Sequence, residues 1–198
     1  MTNSWRRYDT PPALIYGFHG CDRAVADRVL DGTERLLPSE NDCDWLGHGI
    51  YFWENDPQRA FEFADQAARR TSRASRGNIK NPAVIGAVID LGQCLNLLSA
   101  KHIEEFRGAY EISRSNPTVA GLANDEKHFG ARYLDCAVVQ TLHEYRRERG
   151  LHPYDSVRSV FWEGKPIYEG AGIHDRNHVQ VCVCNVACIK GYFRPIAD

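Results

Sequence analysis

With 198 residues, 43% of them apolar and 25% charged, the chain has the size and composition of one globular domain over 1–198. Its longest apolar run, AVIGAVIDL at 83–91, is too short to cross a bilayer, and a net charge of −2 gives no overall footprint for nucleic acid or membrane. The first twelve residues lack the apolar centre of a secretory signal, so a cytoplasmic protein with seven reduced, mostly buried cysteines is expected. ALIYGFHG (13–20) reads as a first buried strand introduced by Pro11-Pro12. A short helix follows from about Asp22, whose side chain suits a cap, through Ala24, Val25 and Val29. Residues 31–47 carry the glycine, proline, serine, asparagine and aspartate of a loop, and IYFW (50–53) is β-branched and aromatic like a strand.

Asn55-Asp56-Pro57 is a strong helix start, after which Ala60, Phe61, Ala64, Ala67 and Ala68 recur at helical spacing. Residues 83–91 form another buried strand. A helical stretch near 99–114 precedes a long amphipathic helix marked by Ala131, Leu134, Val138, Leu142 and Tyr145. The last third turns to strands at 157–163, 178–184 and 188–193. Strands before and after the helices, without regular β-α-β alternation, point to an α+β fold.

Two local features invite other readings. Cys182, Cys184 and Cys188 make a C-x-C-x3-C run, but paired zinc knuckles are absent and alternation with Val181 and Val183 suits a buried strand; no metal is expected. Between Arg59 and Lys80, six cationic residues face two acidic ones, a net of +4. A solvated helix face accounts for that run more simply than a docking patch for a polyanion.

Three segments carry the chemistry: Phe18-His19-Gly20 ending the first strand, LGHGIYFWEN (46–55), and HVQVCVCN (178–185). The G-x-G of the second is no dinucleotide fingerprint, because a strand and not a helix follows it. Taken in order, a histidine-glycine strand, a G-x-G-I-Y-F strand with a helix behind it and a polar residue in a late strand resemble the H-Y-E branch of the ADP-ribosyltransferase superfamily. That branch holds the poly(ADP-ribose) polymerases and diphtheria-type toxins, and within it the chain looks most like small bacterial toxin-like members.

The resemblance implies a split β-sheet core and NAD⁺ as co-substrate. His19 matches the histidine that bonds a ribose hydroxyl, and Gly20 the residue whose backbone approaches the nicotinamide carboxamide. Gly49 lies in the segment that flanks the cofactor, and Tyr51 matches the tyrosine that stacks on nicotinamide. A second aromatic comes from the following helix, Phe61 or Phe63; Phe61 is taken for the site and Phe63 for the core. Gln180 stands where the family has glutamate: it can hydrogen-bond the ribose but brings no charge and no base. Three explanations follow, in this order: Gln180 suffices through positioning and electrostatics, a nearby carboxylate (Glu163, Glu169 or Asp175, with Glu169 singled out) supplies the missing charge, or the site binds NAD⁺ without efficient turnover. Glu169 lies with Tyr168 in the 164–177 loop, which in the family borders the acceptor.

The implied activity is mono-ADP-ribosyl transfer to a macromolecular acceptor, protein or nucleic acid (RNA or DNA), with an antitoxin or immunity protein as a candidate partner. Hydrolysis of NAD⁺ to free ADP-ribose, or binding of NAD⁺ without turnover, are the rival readings.

Overall fold

A computed structural model describes residues 14–69, 79–124 and 131–196. The proline pair at 11–12, the first twelve residues and most of the basic run, 70–78, lie outside the described residues.

Seven strands form one mixed sheet: β1 (Leu14–Asp22), β2 (Ile50–Glu54), β3 (Pro82–Asp90), β4 (Cys94–Asn96), β5 (Ser156–Phe161), β6 (His178–Val183) and β7 (Ile189–Phe193). Their order is β4-β5-β6-β2-β1-β3-β7, and every pair is antiparallel except β4 with β5. Among the described residues five α-helices accompany it: α1 (Arg23–Leu30), α2 (Pro57–Arg69), α3 (Ala100–Ser113), α4 (Pro117–Ala120) and α5 (Tyr133–Glu148). The α+β class expected from the order of elements is the one observed.

Local chemistry sets the boundaries. Asp22 ends β1 and caps α1, its carboxylate accepting from Ala24 N at 2.9 Å and from the backbone of Lys80 and Asn81. Asp56 does the same for α2, accepting from Arg59 N, with Pro57 at the first helical position where a missing N–H costs nothing.

The apolar side chains divide between the sheet's two faces. On one, Ile15, Phe52, Ile85, Ile89, Val181 and Val183 pack with Ala26 and Val29 of α1. On the other, Val157, Phe161 and Cys182 pack with Ala109 of α3 and Val138, Val139 and Leu142 of α5. Helix α2 also lies on this second face: a Cβ at Gly20 would stand 2.1 Å from the Ala60 carbonyl oxygen, so the helix backbone crosses β1 where only glycine leaves room. The second face therefore carries α2 over β1 and β3, and α3 and α5 over the β5–β6–β2 half.

Candidate functional site

Strand β1 pairs with β3 over nine positions but with β2 over only two, Gly17 with Glu54 and Phe18 with Trp53. Beyond Phe18 the two strands part. The His19 Nδ1 reaches the Tyr51 carbonyl at 2.8 Å where a ladder bond would otherwise stand. Backbone polar groups of alternate residues point to the same edge of a strand. Tyr16 O accepts from Asn55 N on the β2 side, so the N–H and C=O of Gly20 also point toward the opening.

A carbonyl only accepts, so Nδ1 of His19 carries the proton and Nε2 presents a lone pair. Burial, only partly countered by the bond to Tyr51, lowers the pKa of this imidazole and keeps it neutral near pH 7. His19 stands opposite Ile85 in β3, and its ring lies 5.8 Å from that of Phe52; both neighbours belong to the α1 face.

Residues opposite one another in antiparallel strands share a face, so Phe18, Trp53, Gln180 and Ser159 form one row across β1, β2, β6 and β5 on the other side. The structure thus brings His19, Gly20 and the Tyr51 carbonyl to the opening between β1 and β2, while the Tyr51 ring packs on the second face against the α5 side of the core. Gln180 sits on the next strand, between α2 and α5, with its side chain on the face opposite to that of His19.

The G-x-G-I-Y-F segment has a structural logic of its own. The Tyr51 hydroxyl accepts from Leu46 N at 2.8 Å and donates to Gly47 O at 2.7 Å, strapping the loop onto β2. Burial raises its pKa far above the ordinary phenol value, so it serves as a hydrogen-bonding group and not as an anion. Gly47 has φ 79° with Val139 against it, and a Cβ at Gly49 would meet Cys182 Sγ at 2.5 Å. Both glycines are needed for the loop to lie flat on β6 and α5.

Around Gln180 the polar groups are unevenly satisfied. Arg59 bridges Glu163 at 2.9 Å and also pairs with Glu62, which ties α2 to the end of β5. Among the three carboxylates read from sequence, Glu163 is the one held near β6. Glu169 is exposed, and Asp175 accepts from Lys165 N inside a small hairpin closed by the Pro166–His174 bridge. His178, two residues before Gln180, stacks on Phe161 at 5.6 Å and lies 6.1 Å from Trp53. Trp53 Nε1, Arg59 Nε and His178 Nε2 are buried without a hydrogen-bond partner. Beyond Phe161 a pocket of about 330 Å³ opens between Trp45, Arg132, Asp135, Val160 and Trp162.

On α2 both phenylalanines are exposed, Phe61 43% and Phe63 48%, and Phe63 sets its ring 5.1 Å from Trp53. Sequence took Phe61 for the site and Phe63 for the core; neither is buried. It also counted Arg59 only as part of a basic run. The available signal for Arg59 was its place beside Ala60, with Ala64 one turn on, on the helix stripe that packs inward. Nothing in the sequence singled out His178, whose lone pair is trapped by a fold-dependent bond from Nδ1 to Arg176 O.

Cys182 is fully buried on β6, as the alternation with valine implies. Among the described residues no group of three or more His, Cys, Asp or Glu side chains is placed to hold a metal ion, and no helix is long and apolar enough to cross a membrane.

No protein-family model matches the chain, and no solved structure matches it. It is similar to an uncharacterized protein of Methanocaldococcus jannaschii, 27% identical over 190 residues that cover 87% of this chain and 83% of the archaeal one.

Proposed function

We propose that this protein binds NAD⁺, breaks the nicotinamide–ribose bond and passes ADP-ribose to a macromolecular acceptor. The observation that carries the reading is the parting of β1 from β2 beside His19, Gly20 and Tyr51, with Gln180 on the adjoining strand. A flat carboxamide needs one donor and one acceptor from a backbone edge, and Gly20 directs both toward the opening. The neutral His19 ring keeps a lone pair for a ribose hydroxyl.

Loss of nicotinamide leaves positive charge at the anomeric carbon, and fixed dipoles stabilise that charge better than water does. Gln180 supplies a dipole through its carboxamide oxygen. Glu163 supplies net negative charge nearby, moderated by Arg59. Neither is a free carboxylate base, so the rate rests on positioning and electrostatics. The nucleophile is then a group of the acceptor that is reactive at neutral pH without strong deprotonation. The aromatic pocket lined by Trp45, Phe161 and Trp162 offers that acceptor a docking wall.

Incubation with adenylate-labelled NAD⁺ in bacterial lysate, followed by separate protease and nuclease treatment, tests the reading. Label on one class of macromolecule that disappears with His19→Ala supports transfer. Free ADP-ribose without labelled macromolecule moves the assignment to a glycohydrolase. The uncharged Gln180 favours, as second reading, a module that binds NAD⁺ with little turnover, for which NAD⁺ would stabilise the fold without releasing nicotinamide.

A further inference from the structure

Strand β5 is paired unevenly along its two edges. On one it matches β6 from Ser156 to Phe161, but on the other its register with β4 stops at Asn96 opposite Arg158. Leu97 N donates to Arg158 O on the β4 side, and Cys184 N donates to Asp155 O on the β6 side. Backbone groups alternate between edges, so those of Val160 point away from β6, to the side that β4 has already left. Among the described residues the Val160 N–H has no partner, and its C=O meets only the Ser159 hydroxyl at 3.4 Å.

The pocket of about 330 Å³ lies at that edge, because Val160, Phe161 and Trp162 all line it. Consecutive strand residues point to opposite faces, so a hollow touched by all three opens along the edge and on neither face alone. Its far wall is Trp45, whose ring meets Phe161 at 4.6 Å and carries the Arg132 guanidinium at 4.7 Å, with Asp135 beside them. Val160 is 43% exposed and Trp162 64%, so an apolar rim and an unpaired backbone stand open together.

We propose that an extended segment of a protein acceptor adds to the sheet at this edge, pairing with Val160 and seating one bulky apolar side chain in the pocket. Val160 offers one N–H and one C=O, the pair that an added strand exchanges with its neighbour. The pocket is at the lower end of the range for small-molecule sites, about 300–1,000 Å³, which suits one side chain. Charge argues against a nucleic acid here. Over 160–178 Lys165 and Arg176 stand against Glu163, Glu169 and Asp175, and in the pocket Asp135 balances Arg132, so this rim offers a phosphate backbone no net positive charge. The docked strand stands about 10 Å from β6, two strand spacings, so the residue that receives ADP-ribose lies elsewhere on the acceptor.

The acceptor role rests on the NAD⁺ reading above; the open edge does not, and the experiment separates them. Amide hydrogen exchange of the free protein comes first. Val160 should exchange fast, with Ser159 and Phe161, which face β6, protected. A protected Val160 amide overturns the proposal whatever becomes of NAD⁺.

The second arm incubates adenylate-labelled NAD⁺ with bacterial lysate, with and without nuclease, and the natural protein, Val160→Pro, Val160→Ala or Trp162→Ala, each checked by a thermal melt. Proline removes the N–H at an edge position where no ladder bond is lost, and Ser159 before it is already extended. The readout is label on protein per nicotinamide released. Val160→Pro and Trp162→Ala should each lower it about tenfold, whereas Val160→Ala, which keeps the N–H, lowers it less than about threefold. An undiminished ratio in folded Val160→Pro, or in Trp162→Ala should proline unfold the protein, overturns the strand docking and leaves the NAD⁺ reading standing. Label confined to nucleic acid does the same. A protein with a fast Val160 amide that neither binds nor cleaves NAD⁺ refutes that reading and the acceptor role with it.

Discussion

Replacing Tyr51 with phenylalanine removes a single oxygen, and the structure says what that oxygen does. It accepts from Leu46 N and donates to Gly47 O, and Leu46 is 2% exposed. Without it, the Leu46 N–H is stranded away from water, which costs about 1–3 kcal/mol, and the neutral bond to Gly47 O is lost, about 1 kcal/mol more. Some relief comes from relaxation of the loop, so the net loss is about 2–3 kcal/mol. For a chain of this length each kcal/mol lowers the melting temperature by about 2–4 °C, giving a drop of roughly 4–12 °C. Urea unfolding followed by circular dichroism measures the first quantity and a thermal melt the second. If the variant unfolds within about 0.5 kcal/mol of the natural protein, the hydroxyl does not strap the loop. The ring of Tyr51 would then be the only part of it that matters.

Gly20→Ala places a methyl group 2.1 Å from the Ala60 carbonyl oxygen and forces α2 off β1. Overpacking of this kind costs about 1–3 kcal/mol. Gly191→Ala on β7, with no atom within 4 Å of the new methyl, is the control and should be nearly silent by the same denaturation assay. His143, 5% exposed on α5, has its pKa lowered to about 4, by burial first and by Arg147 and Arg146 after it. Between that value and the ordinary histidine pKa the unfolded chain binds the extra proton. The contribution is therefore present at pH 7 and lost as pH falls from about 6.5 to 4, with an upper limit of roughly 3 kcal/mol. His143→Phe should flatten that acid limb in unfolding curves taken at successive pH values; an unchanged limb would assign it to other groups.

The sequence showed most of the elements because their signals are local. The proline after Asn55-Asp56 starts α2 where expected, and the apolar alternation in HVQVCV marks β6. It did not show β4, three residues long, which pairs in parallel with β5 and whose approach is pinned by Asp155 accepting from Gln93 N. A three-residue strand has no periodicity to read. Nor did it show α4, a single turn capped by Asn116.

At the site, the motif residues were legible because each stands in a short characteristic string, but their mutual placement was not. Phe61 and Phe63 are equally apolar and both stay exposed, and that Phe63 is the one to meet Trp53 depends on how α2 crosses Gly20. The preference for Glu169 rested on its place in a loop. Glu163 comes close to β6 because β5 pairs with β6 up to Phe161, and Arg59, 104 residues earlier, reaches across to it. The tautomer of His178 depends on a carbonyl two residues away whose direction the hairpin sets.

The decisive measurement is nicotinamide release from NAD⁺ by the purified protein, with His19→Ala and Gln180→Ala alongside and calorimetry to follow NAD⁺ binding. The expected result is measurable release that His19→Ala abolishes and Gln180→Ala lowers, with kcat/KM holding its plateau down through pH 6.5 because the His19 pKa is lowered. Folded protein that releases no nicotinamide and gives no heat with NAD⁺ would contradict the NAD⁺ reading. The opening between β1 and β2 would then be a feature of the fold and not a cofactor cleft.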